Sequence, residues 1–130
     1  MKRHAALLQL SREHHHALKL SRLARFASDS GHALAIAEAA EKIIEAFPKV
    51  LEPHFQNEEK DLLPALTAVG ASELVRRVLA EHAELRDLSR RLAEQDSEIL
   101  ARFATLLHDH VRFEERELFE TAQELLYPEH

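Results

Sequence analysis

Cysteine is absent from the 130-residue chain, glycine occurs only 2 times, and no long apolar run is present. Without cysteine there is neither a disulfide framework nor a thiolate metal site, so any metal must be held by nitrogen and oxygen donors. The scarcity of glycine disfavours a turn-rich β fold. Nowhere do about 18 uninterrupted apolar residues occur, which excludes a membrane-spanning helix. A basic excess is lacking too. The formal charge of -6 with histidines neutral argues against nucleic acid as a partner. At the amino terminus Ala5 to Leu10 is apolar, but Arg12, Glu13 and three histidines follow before a secretory core can develop. The expectation is a cytoplasmic protein of one domain, residues 1–130. What the chain has in excess is histidine, with 10 residues, far more than solubility or packing requires.

Apolar residues recur at three- and four-residue intervals almost from end to end, the signature of amphipathic helices. The first helix is expected at about residues 5–27, ending near Ser28-Asp29-Ser30-Gly31, and the second at about 32–66. Pro48 and Pro53 each remove a backbone donor, so the second helix should kink or break between Phe47 and His54. Gly70 separates it from a third helix at about 72–94, with Ser72 as cap, and Asp96 or Ser97 opens a fourth that runs until Tyr127-Pro128. Short connections make neighbouring helices antiparallel, which predicts an all-α, up-down-up-down four-helix bundle.

Two segments repeat one pattern. His54-Phe55-Gln56-Asn57-Glu58-Glu59-Lys60-Asp61-Leu62-Leu63 and His110-Val111-Arg112-Phe113-Glu114-Glu115-Arg116-Glu117-Leu118-Phe119 both read H-x-x-x-E-E-x-x-L-[LF]. Helical positions i and i+4 face the same way, so His54 with Glu58, and His110 with Glu114, form two-point metal clamps. A weaker echo, Glu13-His14 and Glu81-His82, gives each remaining helix one candidate histidine. Within His14-His15-His16, His14 shares the face of Leu7, Leu10 and Leu18, His15 lies on its flank as the reserve, and His16 turns away.

One such pair alone is usually an exposed, weakly stabilising contact. Four imidazoles and two carboxylates aimed at an apolar interior are another matter, because unpaired buried carboxylates need a compensating cation. The other histidines take plainer readings: His4, His16 and His130 solvated, His32 at a helix start, His108 on a different face from His110. Glu59 and Glu115 are read as surface residues or as supports for the ligands, and Glu13 and Glu81 as solvated. The Glu-x-x-His of ferritin-type di-iron bundles occurs only once, at Glu13 and His16. The zincin string, the cysteine-containing deaminase signature, the G-x-S-x-G elbow and a phosphate-cradling glycine loop do not occur.

With these residues in place the chain resembles the hemerythrin-like family of His-His-Glu cation-binding domains, over nearly its whole length. The resemblance implies a four-helix bundle around a non-haem di-iron centre. His14, His54, His82 and His110 would be terminal ligands, and Glu58 and Glu114 would bridge two iron ions. Imidazole and carboxylate suit manganese and zinc as well, so iron rests on the resemblance. The oxygen-carrying members have a His-x-x-x-His pair on the third helix, whereas here His82 is followed by Arg86. That pattern is more similar to members associated with iron-sulfur repair under nitrosative stress and with iron sensing.

The expected function is to bind, sense or react with a small diatomic ligand (oxygen or nitric oxide) or with peroxide. Whether turnover accompanies binding is left open by the residues. An iron-dependent regulatory module read by a protein partner, an oxygen storage protein, and a structural helical dimer with a vestigial site are the alternatives.

Overall fold

The computed structural model describes residues 3–128 and is helical almost throughout. Helix α1 (Ala5–Ser30) ends at Gly31, whose φ of 67° is the left-handed conformation that stops a helix without a Cβ penalty. Helix α2 covers residues 33–68, α3 Ser72–Arg91 with a tighter final turn at Leu92–Glu94, and α4 residues 97–126. The connections are two to three residues long, so successive helices run antiparallel and the bundle is up-down-up-down.

Helix ends follow local chemistry. Asp96 caps α4, its carboxylate accepting from the N–H groups of Glu98 at 2.7 Å and Ile99 at 3.3 Å. Ser72, expected as the cap of α3, is instead its first helical residue; Ala71 holds the cap position without a side-chain bond. There the backbone closes the turn itself, the Ala71 N–H reaching the Leu66 carbonyl at 2.9 Å.

Helix α2 is continuous but uneven. The expected departure between Phe47 and His54 is a widened turn at Phe47–Leu51, in which the Glu52 N–H donates to the Phe47 carbonyl five residues back. A turn of this kind absorbs the donors that Pro48 and Pro53 lack without breaking the rod. Two more widened turns occur, Glu58–Leu62 in α2 and Glu114–Leu118 in α4, with Leu63 N–H bonded to the Glu58 carbonyl and Phe119 N–H to that of Glu114. Both coincide with the E-E-x-x-L half of the repeated motif.

Alternating alanines on α1, Ala17, Ala24 and Ala27, are almost fully buried and let it pack closely against α4, its most extensive neighbour. Ser21 marks the seam, donating to the Ala104 carbonyl at 2.8 Å. The apolar interior falls into two clusters. One gathers Ala24, Ile43, Phe55, Leu88 and Phe103, the other Leu7, Leu66, Val78, Leu118 and Phe119. The repeated motifs contribute to both, Phe55 and Val111 to the first and Leu62, Leu63, Phe113, Leu118 and Phe119 to the second. None of the helices described is long and apolar enough to cross a membrane.

Candidate metal centre

Eight polar or charged side chains are buried among the described residues, and six of them are the ones the motifs single out: His14, His54, Glu58, His82, His110 and Glu114. Each is at most 4 % exposed, and Glu58, His82 and Glu114 are at 0 %. α1 supplies His14, α2 His54 and Glu58, α3 His82, and α4 His110 and Glu114. They form a single polar layer across the bundle, between the two apolar clusters.

Within this layer the donor atoms sort into two overlapping quartets. His14, His54, Glu58 and Glu114 present one ligand atom each within 4.8 Å of one another, and so do Glu58, His82, His110 and Glu114. Both carboxylates belong to both groups. His14 Nε2 contacts Glu114 Oε1 at 2.8 Å, but the other contacts are not hydrogen bonds. His54 Nε2 lies 3.4 Å from Glu58 Oε2, His82 Nε2 3.1 Å from Glu58 Oε1 and His110 Nε2 3.3 Å from Glu114 Oε2, all without hydrogen-bond alignment. Six buried polar atoms, including both oxygens of Glu58, thus have no hydrogen-bond partner. Orphaned buried polar groups are rare because each forfeits its hydration without compensation. Here they converge on the two quartets, and cations held there would satisfy them. The donor set fits a metal.

The outer nitrogens are fully occupied. Nδ1 of His14 bonds Glu115 Oε2 at 2.6 Å, Nδ1 of His54 bonds Glu13 Oε1 at 2.8 Å, Nδ1 of His82 bonds Glu59 Oε2 at 2.7 Å, and Nδ1 of His110 bonds Glu81 Oε1 at 2.7 Å. A carboxylate can only accept, so each ring donates from Nδ1 and directs Nε2 inward; in the metal-free fold His14 Nε2 donates as well, to Glu114, and a metal would take the place of the inner protons. This pins ring orientation and raises donor strength, as outer carboxylates do for metal-bound histidines. Glu13 and Glu81, expected to be solvated, are therefore corrected to partly buried partners of His54 and His110. The signal available was their own spacing: each directly precedes a buried histidine on α1 or α3, so it points sideways at the ring on the next helix.

Electrostatics in the layer follow from its composition. Burial opposes protonation of His54, yet Glu114 and Glu58 outweigh it and raise its pKa to about 11. Burial likewise opposes charge on His110, while Glu114 and Glu81 raise it to about 10. Burial favours neutral Glu114, but His110, His14 and His54 hold it well below the usual carboxylate range. Glu13, Glu59, Glu81 and Glu115 are also lowered against burial, by Gln9 and His54, by Arg86 and His82, by His110 and Arg77, and by His14 and Ser11 respectively. Without a metal, protons have to provide the positive charge that this layer demands.

The other histidines take no part. His15, His16, His32 and His108 are exposed, and His32 sits at the cap position of α2 without a side-chain bond. His4, expected in solvent, is half-buried: its Nδ1 accepts from the Ala6 N–H at 3.0 Å, and its ring stacks on Tyr127. His130 lies outside the described residues. Arg86 faces away from the inner ring, bonded to Glu52 and Glu59.

No curated protein and no solved structure matches the chain. A family model does: the hemerythrin HHE cation binding domain matches residues 6–122, from the first turn of α1 to within the last of α4, and takes in every residue of the layer. A helical bundle whose interior is interrupted by histidines and glutamates, matched along nearly its full length, belongs to the hemerythrin HHE cation-binding domain family.

Proposed function

We propose that this chain is a non-haem di-iron protein that binds, senses or reacts with oxygen, peroxide or nitric oxide. The observation that carries the reading is the sharing of Glu58 and Glu114 between both quartets of donor atoms. Two carboxylates common to two sites are what a pair of cations needs to be held close without mutual repulsion dominating. His14, His54, His82 and His110 are the proposed terminal ligands. Iron is favoured by the family, and manganese or zinc would meet the same donor atoms.

Each position has two imidazoles and a share of two carboxylates, which leaves part of an octahedral shell for an exogenous small molecule. Arg86 stands four residues after His82 but is held by Glu52 and Glu59, so it supplies no further donor. Iron, when bound, would supply the redox chemistry. The protein's own part is to keep Nε2 inward, exclude bulk water between the two apolar clusters, and neutralise the charge. A cytoplasmic location belongs to the same proposal.

The test is metal analysis of protein purified without added metal, joined to optical spectra of the reduced form before and after oxygen or nitric oxide. Close to two irons per chain and a spectral change with either gas is the expected result. Zinc-filled protein that is silent to oxygen, peroxide and nitric oxide would defeat it. The position of the layer between two apolar clusters favours a second reading, in which metal occupancy sets bundle stability and a partner reads the folded state. Iron-dependent stability without any response to oxygen, peroxide or nitric oxide would select it.

A further inference from the structure

Three of the four carboxylates that hold the histidines from outside are tied to arginines. Glu115 takes Arg3 Nε at 3.2 Å and Nη2 at 3.0 Å, Glu59 takes Arg86 Nη1 at 2.9 Å, and Glu81 takes Arg77 Nε at 3.0 Å. Glu13 differs. One of its oxygens accepts from His54 and the other from the neutral amide of Gln9 at 3.0 Å, and among the described residues no arginine or lysine is paired with it.

The surroundings of the two quartets otherwise balance. On the His14–His54 side Arg3 also bonds Glu120, and on the His82–His110 side Arg86 also bonds Glu52, so each side has one arginine shared between two carboxylates. What remains is Arg77 on one side against Gln9 on the other. An arginine occupies carboxylate lone pairs and cancels the charge, whereas an amide leaves the charge in place. The ring facing Glu13 is therefore the more electron-rich donor, and the His14–His54 side carries one more uncompensated carboxylate than the other.

We propose that the two metal positions are unequal, the His14–His54 position taking a divalent cation first, because Gln9 leaves Glu13 uncompensated where Arg77 neutralises Glu81. This rests on the two-metal reading above and adds which position is stronger and which residue makes it so. Changes to outer partners of metal-bound histidines typically alter affinity about 10- to 100-fold, and a gap of that order separates two binding steps in a titration.

The experiment is a cobalt(II) titration of the metal-free full chain, followed by visible absorption and by the paramagnetically shifted ring N–H proton signals. Glu13→Gln and Glu81→Gln identify the signals of His54 and His110. At one equivalent the His14 and His54 signals should appear alone, with those of His82 and His110 following at the second. Gln9 lines an open pocket of about 480 Å³ together with Leu10, Asn57, Asp61, Leu62 and Tyr127, so a longer cationic side chain has room there, and Asp61→Asn in the same variant keeps its charge for Glu13. Gln9→Lys should weaken the first step roughly tenfold and merge the two. Gln9→Met, which removes the amide without adding charge, should keep the order, and Arg77→Gln should tighten the second step.

Appearance of the His82 and His110 signals first would overturn the proposal. So would two equivalents binding together, in wild type, with Gln9→Lys making no difference; that outcome leaves the two-metal reading standing. Saturation below two equivalents would remove that reading and this proposal with it.

Discussion

At the scale of single residues, His54 and His110 differ from His16 in one respect that decides their importance: their Nε2 atoms are buried without a hydrogen-bond partner, whereas His16 is exposed. His54→Ala or His110→Ala should lower bound metal and thermal stability together, with the midpoint falling by something on the order of 10 °C as the stabilisation from bound metal is lost. His16→Ala should change neither. Parallel metal analysis and calorimetry check this, and retention of two metals by both inner variants would show that these rings are not ligands. All six inner residues were legible because i, i+4 spacing and helical phase are properties of the chain itself. Glu13 and Glu81 were not. Their place directly before His14 and His82 was visible, but which ring each meets depends on how one helix is rotated against the next, and so both looked like ordinary solvated acids.

Among the elements, the widened turns explain a feature that a 3.6-residue period cannot. Leu63 and Phe119 are buried like Glu58 and Glu114 five residues before them, although positions five apart on a regular helix diverge by roughly 140°. The extra residue in each turn resets the phase, so Glu58 or Glu114 and the apolar residues beyond it can share one interior. Inserting one alanine after Asp61 should exceed what the turn absorbs and rotate Leu63 and Leu66 off the core. Far-UV circular dichroism should stay helical while stability falls by at least the roughly 2–5 kcal/mol that removal of one buried leucine costs. A variant as stable as wild type would mean that helical phase at this turn does not place the leucines. The four helices and their breaks were readable from apolar spacing, glycines and Asp96. The widened turns were hidden, since E-E-x-x-L was read there for its ligands and not for its geometry.

For the molecule as a whole, protons and metal compete for the same nitrogen atoms. The pKa values of His54 and His110 in the metal-free fold, about 11 and about 10, lie above the ordinary value of 6.5. A raised pKa means that the folded form binds the proton more tightly, so this stabilisation is complete below pH 6.5 and is lost as pH rises through 10 and 11. Metal needs the same rings unprotonated, so its contribution grows over that interval. Melting curves of metal-free and metal-loaded protein from pH 6 to 11 should diverge as pH increases, and parallel curves would contradict the competition. The small share of protein donors at each position gives a further expectation. The anaerobically reduced protein should oxidise irreversibly on stopped-flow mixing with oxygen, and uptake that reverses under vacuum would restore oxygen storage as the function. Family and fold were legible because the motifs and the helical rhythm span the whole chain; the choice among small ligands was not, since it turns on the metal's own reactivity. The polar layer has one more effect, on cooperativity. It divides the interior into two apolar clusters, with the buried histidines and glutamates between them. Stripped of metal, the bundle should behave as two weakly coupled folding units, with amides around Leu66 and Val78 exchanging with solvent on a different timescale from those around Ile43 and Leu88, and metal should fuse them into one.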